Sequence, residues 1–180
     1  MDLLKRDLPY SVALALALLG SAGSVWLSVG MGLKACPLCF YQRTAVFLVL
    51  AGLVLGLVSE TLLTRGTAAW LVLPACVLGL LVAGWHVYLE SSGALECPKG
   101  MLGLGTAPLQ SLVAFLLLTS AVGLSALRAT EVGTPRLAMA AVLGLLLGFA
   151  AVKSAPPMPA VPKQAYPDPL VTCRPPFPGA

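Results

Sequence analysis

Charge is scarce in this chain. Of its 180 residues, 58% are hydrophobic and only 10% are charged, whereas an ordinary soluble domain has about 25% charged residues. A soluble globule of this size could not bury so much apolar surface without an aggregation hazard, and the lack of charge also excludes disordered and fibrous classes. The few basic residues are not clustered, as a nucleic-acid-binding surface requires. The composition therefore predicts a membrane protein in contact with lipid and without a nucleic-acid partner.

Five apolar stretches are long enough to cross a bilayer, which takes about 20 residues. The predicted spans cover about residues 10–31, 40–59, 68–90, 107–128 and 135–152. Thr106 and Thr134, each followed closely by a proline, are predicted helix caps. The sequence thus predicts an all-α, polytopic membrane domain over residues 1–153.

The last segment, residues 154–180, contains nine of the 15 prolines. Such a segment cannot form a long helix or a central strand. We expect an extended, polyproline-like strap over the outer face of the membrane domain.

Charge alone does not determine the orientation of the chain in the membrane. The first span resembles a signal peptide, because Lys5 and Arg6 precede it, but it is longer than a typical signal core of about 7–15 residues. We expect it to be retained. With the N-terminus in the cytoplasm, five basic residues would lie inside and six outside, so the positive-inside rule does not decide the orientation.

Cys36 and Cys39 form a Cys-Pro-Leu-Cys motif at the start of the second span. Thiols at this spacing can close a short disulfide, and a helix N-terminus stabilises a thiolate. The alternatives are a static disulfide and half of a zinc site. A zinc site needs two further ligands, and the sequence has neither a second Cys-x-x-Cys motif nor a histidine pair. Redox function is therefore favoured, with no metal site.

Arg43 lies one helical turn beyond Cys39 and on the same helix face. A charge within the membrane is costly and usually functional. Its guanidinium could stabilise a Cys39 thiolate and donate hydrogen bonds to a quinone carbonyl. The alternative is a side chain that extends to the lipid headgroups.

Cys97 and Cys173 would lie on the same side of a five-span protein as Cys36 and Cys39. Disulfides persist outside the cytoplasm, so this clustering favours a cytoplasmic N-terminus and an external tail. A Cys97–Cys173 disulfide would close a loop of about 75 residues, which stabilises a fold by about 4–5 kcal/mol in the chain-entropy treatment. It could be a redox shuttle or only a structural pin. Cys76, inside the third span, is predicted to be a core residue without a redox role.

His86 and Glu90 lie four residues apart near the outer end of the third span, beside Trp85 and Tyr88. The aromatic residues are typical of an interfacial belt. His86 could donate a hydrogen bond or a proton to a quinone oxygen, or could be a buried histidine of the helix bundle.

The segment Cys36-Pro-Leu-Cys-Phe-Tyr-Gln-Arg43, with Tyr88-Leu-Glu90 and Cys97, resembles the bacterial disulfide bond formation protein B (DsbB) family over about residues 10–128. The resemblance implies a four-helix bundle in the bacterial cytoplasmic membrane, to which this chain adds a fifth helix. It implies a partner, a periplasmic thioredoxin-fold oxidant (DsbA-like), and a quinone cofactor, ubiquinone or menaquinone.

By the same resemblance, Cys36 and Cys39 match the quinone-linked cysteine pair, and Arg43 matches the arginine of the quinone site. The chain departs from the family pattern in one respect. The loop between the third and fourth helices normally carries a second cysteine pair, and here it carries only Cys97. Cys173, after the fifth span, would supply the missing thiol.

The mechanism favoured by the sequence is a relay of thiol–disulfide exchanges. A reduced partner attacks the Cys97–Cys173 disulfide, the resulting dithiol reduces the Cys36–Cys39 disulfide, and Cys39 passes electrons to the quinone. One alternative is a vitamin K epoxide reductase-like quinone reductase, although that family places its Cys-x-x-Cys motif late in the bundle. The other is a non-catalytic membrane protein with structural disulfides, which would not need Arg43 at that depth.

Overall fold

The computed structural model describes residues 2–59, 63–129, 133–157, 161, 166 and 169–177, and only the backbone of residues 2–7. Five long helices follow one another along the chain: α1 (Asp2–Val29), α2 (Pro37–Val58), α3 (Arg65–Ser91), α4 (Ala107–Arg128) and α5 (Thr134–Ser154). Each is long and apolar enough to cross a bilayer, over Leu8–Val29 in the case of α1. The described residues include no β-strand, only isolated bridges. The predicted all-α, polytopic membrane fold is confirmed.

Helices α1 to α4 form a closed ring in which each helix packs on its two neighbours, and α5 packs on the outside of that ring against α3. The third helix therefore has three helical neighbours, and 44% of its most apolar window is buried, against 17% for α1. The first helix correspondingly offers most of its surface to lipid. The architecture is a four-helix bundle with a fifth helix docked on α3.

Small residues set the close approach of α5 to α3. The buried positions of α5 follow a four-residue repeat through Ala140, Gly144 and Gly148, a spacing that lets membrane helices approach closely. A Cβ atom at Gly144 would lie 2.6 Å from the Val77 Cβ and 2.7 Å from the Pro74 carbonyl oxygen. Only glycine fits there, so this repeat permits the close α3–α5 contact.

The helix starts differ from the predicted caps. Thr106 precedes α4 but its side chain makes no capping hydrogen bond; its hydroxyl instead donates to the Glu90 carboxylate at 2.8 Å. Thr134 is the first residue of α5, and the cap position belongs to Gly133. Thr106 therefore occupies the predicted cap position without making the capping hydrogen bond, whereas the cap predicted at Thr134 was wrong by one residue.

Part of the proline-rich tail is fixed at one end of the bundle. Residues 169–177 contain no helix, and Arg174 pairs with Glu96 through two backbone hydrogen bonds of 2.8 and 3.1 Å and an ion pair. The Lys34 amide also donates to the Val171 carbonyl at 2.7 Å. These contacts join the tail to both the α1–α2 and α3–α4 connections. The predicted strap over residues 154–180 otherwise falls largely outside the described residues.

Candidate functional site

The end of the bundle at which α2 begins and α3 ends carries four of the five cysteines, and we call it the cysteine end. Cys36 is the N-cap of α2, and its sulfur accepts a 3.3 Å hydrogen bond from the Cys39 amide. The proline that follows Cys36 has no amide hydrogen, but the first turn of a helix does not use that hydrogen in a backbone hydrogen bond. Local sequence therefore places both thiols on one turn, with their sulfur atoms 2.7 Å apart.

The two thiols of this pair are not equivalent. Cys36 is buried, whereas Cys39 is half-buried. The hydrogen bond with Cys39 and the burial of the side chain raise the pKa of Cys36. The more exposed Cys39 is therefore the thiol of the pair that is better suited to react as a thiolate.

The predicted Cys97–Cys173 disulfide is present and joins residues 76 positions apart. Both residues are buried. The Glu96–Arg174 pairing lies directly beside the bond and holds the adjacent backbone of the two cysteines in register. Tertiary structure, rather than local spacing, creates this second pair.

His86 lies at the centre of the cysteine end and is completely buried. Its Nε2 atom is close to three sulfur atoms: Cys36 at 3.8 Å, Cys97 at 3.5 Å and Cys173 at 3.2 Å. The imidazole therefore bridges the α2 cysteine pair and the Cys97–Cys173 disulfide. The sequence left open whether His86 was a quinone contact or a buried bundle residue; the structure places its ring against the sulfur atoms.

A hydrogen-bonded chain behind His86 favours one position for the proton of the imidazole ring. The Ser111 hydroxyl donates to Gln42 Oε1 at 2.7 Å, which turns the Gln42 amide nitrogen towards His86 Nδ1, 3.4 Å away. Since an amide nitrogen can only donate, Nδ1 accepts. The proton of the neutral ring is then on Nε2 and directed at the sulfur atoms.

Cys39 and Arg43 line a cavity of about 600 Å³ between α1, α2 and α4. Most of its lining is apolar, and Cys173 also contributes to its wall. His86 is not among the described residues that line this cavity. The cavity therefore reaches Cys39, the half-buried thiol of the α2 pair, from between the apolar helices.

Arg43 is held in place by α1. Its Nε donates to the Ser24 hydroxyl at 2.9 Å, and its Nη2 donates to the Ser24 carbonyl at 2.9 Å and to the Ser28 hydroxyl at 2.6 Å. These bonds fix the guanidinium inside the bundle, so it does not extend to the headgroups along its own helix. The result is a positive charge held at the wall of the Cys39 cavity.

A larger groove of about 870 Å³ lies between α1 and α2, but Ser21 is the only polar residue among the described residues that line it. It contains neither a cysteine nor a charged residue. We assign it no chemistry, because a membrane-facing helix pair commonly leaves such an apolar groove for lipid.

The remaining predicted positions fall outside the cluster. Cys76 is fully buried in the middle of α3, in agreement with a core role, and Glu90 bonds Thr106 as described above. Sequence reasoning did not identify Gln42, Ser111, Ser24 or Ser28. Gln42 could have been identified from the sequence, because it is a polar residue within a predicted membrane span. The serines could not, because a hydroxyl in a membrane helix can form a hydrogen bond with the backbone of its own helix.

The chain matches the family described as disulfide bond formation protein DsbB over residues 6–152. It is 35% identical to Disulfide bond formation protein B of Herminiimonas arsenicoxydans over 117 residues, 63% of this chain and 73% of the relative. It is 29% identical to the protein of the same name from Xylella fastidiosa strain Temecula1 over 147 residues, 75% of this chain and 85% of the relative. No solved structure matches the chain. The region matched by the family ends at residue 152, before Cys173.

Proposed function

This chain belongs to the DsbB family of disulfide bond formation membrane proteins, and from that premise we propose that it is a thiol:quinone oxidoreductase. It would reoxidise a DsbA-like, thioredoxin-fold disulfide donor and pass the electrons through Cys36 and Cys39 to ubiquinone or menaquinone. The observation that carries this proposal is the position of His86, whose Nε2 lies within 3.8 Å of sulfur atoms from both cysteine pairs. Two redox pairs this close can exchange.

The first proposed step takes place at the Cys97–Cys173 disulfide. A thiolate of the reduced partner attacks one of the two sulfur atoms and forms a mixed disulfide; the second partner thiol resolves it. The partner leaves as a disulfide, and Cys97 and Cys173 hold the two electrons and two protons as thiols. Because both cysteines are buried, this attack requires the tail to move away from the bundle.

In the second step the new dithiol reduces a Cys36–Cys39 disulfide. Cys36 and Cys173 have their sulfur atoms within 4.8 Å of each other, so a mixed disulfide between them needs only a small movement. His86 Nε2 lies 3.8 Å from the Cys36 sulfur and 3.2 Å from the Cys173 sulfur, so its N–H would stabilise the Cys36 thiolate that leaves when the mixed disulfide is resolved. Cys36 and Cys39 end as thiols, and Cys97 and Cys173 return to the disulfide.

The cavity beside Cys39 fits a quinone. Its apolar wall suits a ring with a hydrocarbon tail, and Arg43 supplies a fixed donor for a carbonyl oxygen. When bound, the quinone would supply a two-electron oxidant, and the Cys36 and Cys39 thiols could then close to a disulfide with the release of two electrons and two protons. Arg43 would stabilise the Cys39 thiolate once that thiol has lost its proton, and Cys36 would supply the second proton.

We propose that the cysteine end faces the extracytoplasmic side of the bacterial cytoplasmic membrane. Five spans place the described start and end of the chain on opposite sides, and a stable Cys97–Cys173 disulfide requires an oxidising compartment. A cysteine placed at Thr64, at the opposite end of the bundle, should then resist membrane-impermeant thiol reagents in whole cells. Labelling of that position from outside would contradict the orientation.

The contacts around Cys173 favour a second role for its disulfide, that of a pin. The Glu96–Arg174 pairing and the Lys34–Val171 hydrogen bond hold the tail independently of the sulfur atoms. If the disulfide is a pin, it only stabilises this anchoring of the tail, and the partner delivers its electrons directly to the Cys36–Cys39 pair. The two roles predict different activities for serine variants of Cys97 and Cys173.

The proposed function is tested by following quinone absorbance with the purified protein. Both a small dithiol and a reduced thioredoxin-fold protein should reduce the quinone, with one disulfide formed for each quinone consumed. Bound quinone should also give a charge-transfer band with the Cys39 thiolate. If neither donor supports quinone reduction in folded protein, the cysteines serve structure alone.

A further inference from the structure

Three sulfur atoms and one imidazole nitrogen lie close together at the cysteine end. The Sγ atoms of Cys36, Cys39 and Cys173 and a ring nitrogen of His86 all lie within 4.8 Å of one another. In a tetrahedral zinc site the ligand atoms are about 3.5–3.8 Å apart, given Zn–S and Zn–N bonds of about 2.3 and 2.0 Å. The Nε2 contacts of His86 with Cys36 and Cys173, at 3.8 and 3.2 Å, are already near that spacing.

We propose that the fully reduced protein binds one Zn²⁺ through Cys36, Cys39, Cys173 and His86, and that the metal-bound form is withdrawn from thiol exchange. The inference goes beyond the proposed function, since it needs neither a quinone nor a protein partner. Three thiolates and one imidazole are a common ligand set for zinc in proteins. The spacing of the residues in the sequence does not predict this metal site, because its ligands come from α2, α3 and the tail.

The proposed binding is linked to redox state. In the structure Cys173 is bonded to Cys97, and a disulfide sulfur is not a thiolate ligand. A dithiol must first open this bond: it gives two electrons and two protons to Cys97 and Cys173 and becomes a disulfide itself. Zn²⁺ then displaces three protons, one from each ligating thiol. The oxidised protein should therefore not bind the metal at this site.

The residues behind His86 can support the metal-binding tautomer. Coordination through Nε2 moves the ring proton to Nδ1, which then needs an acceptor. If the Gln42 side-chain amide turns over, it presents Oε1 to Nδ1, and the Ser111 hydroxyl can accept from the amide nitrogen instead of donating to the oxygen. Gln42 and Ser111 thus satisfy either tautomer without a change of backbone.

The charge of the complex also suits its surroundings. One Zn²⁺ with three thiolates carries a net charge of −1, which is costly to bury alone. Arg43 lines the same cavity as Cys39 and Cys173, and its guanidinium is fixed there by Ser24 and Ser28. A positive charge is therefore already in place beside the site.

The test uses the full-length protein in detergent, reduced with a phosphine and titrated with Co²⁺ as a spectroscopic probe. One equivalent should produce the thiolate-to-cobalt charge-transfer bands and d–d bands of a tetrahedral site, and Zn²⁺ should displace it. Protein with the Cys97–Cys173 disulfide intact should give no such spectrum. Binding that is equal in the oxidised and reduced forms would overturn the proposal.

Variants identify the ligands. Cys173→Ser and His86→Ala should each weaken Co²⁺ binding at least tenfold, whereas Cys76→Ser, a buried cysteine remote from the site, should bind as the parent does. Cys97→Ser leaves Cys173 unpaired, so it should bind metal once Cys36 and Cys39 alone are reduced. This variant keeps the proposal testable if Cys173→Ser does not fold. Unchanged affinity in His86→Ala, or loss of binding in Cys97→Ser protein that is folded and reduced, contradicts the assigned ligand set.

Discussion

The two cysteine pairs at the cysteine end are built by different means. Cys36 and Cys39 lie three positions apart on the first turn of α2, so local backbone geometry alone brings them together. Cys97 and Cys173 are separated by 76 positions and meet only because α5 returns the chain to this end of the bundle. The first pair therefore depends on one helix start, whereas the second depends on the packing of α5 and on the anchoring of the tail.

The largest expected effect comes from Cys39→Ser. Quinone reduction should fall to background with either electron donor, because the remaining thiol cannot form the Cys36–Cys39 disulfide. Cys36 should instead accumulate in a disulfide with Cys97 or Cys173, whose sulfur atoms surround His86. Non-reducing electrophoresis after proteolysis detects this bond, and Cys76→Ser is the matched control. Substantial quinone turnover in Cys39→Ser would remove the α2 pair from the reaction.

Arg43→Ala should reduce quinone turnover by about 10- to 150-fold, since a hydrogen bond to a charged group contributes about 1.5–3 kcal/mol. Arg43→Ala removes both the positive charge and the hydrogen bonds to Ser24 and Ser28. Arg43→Lys keeps the charge, so it separates the two contributions and should retain part of the activity. Exchange between the partner and the Cys97–Cys173 pair should not change. Equal turnover in Arg43→Ala and the parent would reduce this arginine to an anchor between α1 and α2.

Gly144→Ala should affect the long-range pair and spare the local one. The added Cβ would collide with Val77 and the Pro74 carbonyl, and such overpacking costs about 1–3 kcal/mol. Displacement of α5 should slow oxidation of the protein partner and lower the thermal midpoint, while quinone reduction by a small dithiol continues. Gly123→Ala is the control, because a Cβ there meets nothing within 4 Å. Equal behaviour of the two variants would show that α5 packing does not position Cys173.

The smallest expected effect belongs to Gln42→Leu. The loss of the hydrogen bond to His86 Nδ1 should slow exchange between the two pairs by about 2- to 10-fold, from a net contribution of about 0.5–1.5 kcal/mol. The chain has a single histidine, so nitrogen-15 labelling reports its tautomer directly. The parent should show the Nε2–H form, and the variant a mixture. An unchanged tautomer in the variant would show that Gln42 does not position the proton.

The sequence predicted what short spacing and apolar length determine. The five membrane helices follow from their apolar runs, and the Cys36–Cys39 pair follows from its place at a helix start. The Cys97–Cys173 disulfide followed from the number of cysteines and from the side of the membrane on which they were predicted to lie. The tautomer of His86 could not be predicted, because Ser111 and Gln42 are 69 positions apart and meet only through helix packing. The hydrogen bond of the Thr106 hydroxyl could not be predicted for a similar reason, since its partner Glu90 lies on another helix.

The central claim, that Cys97 and Cys173 carry electrons rather than only pin the tail, is tested most directly in Cys173→Ser. Two rates are measured in the same purified variant: oxidation of a reduced thioredoxin-fold partner, and quinone reduction by a small dithiol. A shuttle predicts loss of the first with the second preserved, and the same division in Cys97→Ser. Partner oxidation at the parental rate in either variant would contradict the account and leave the bond as a structural pin.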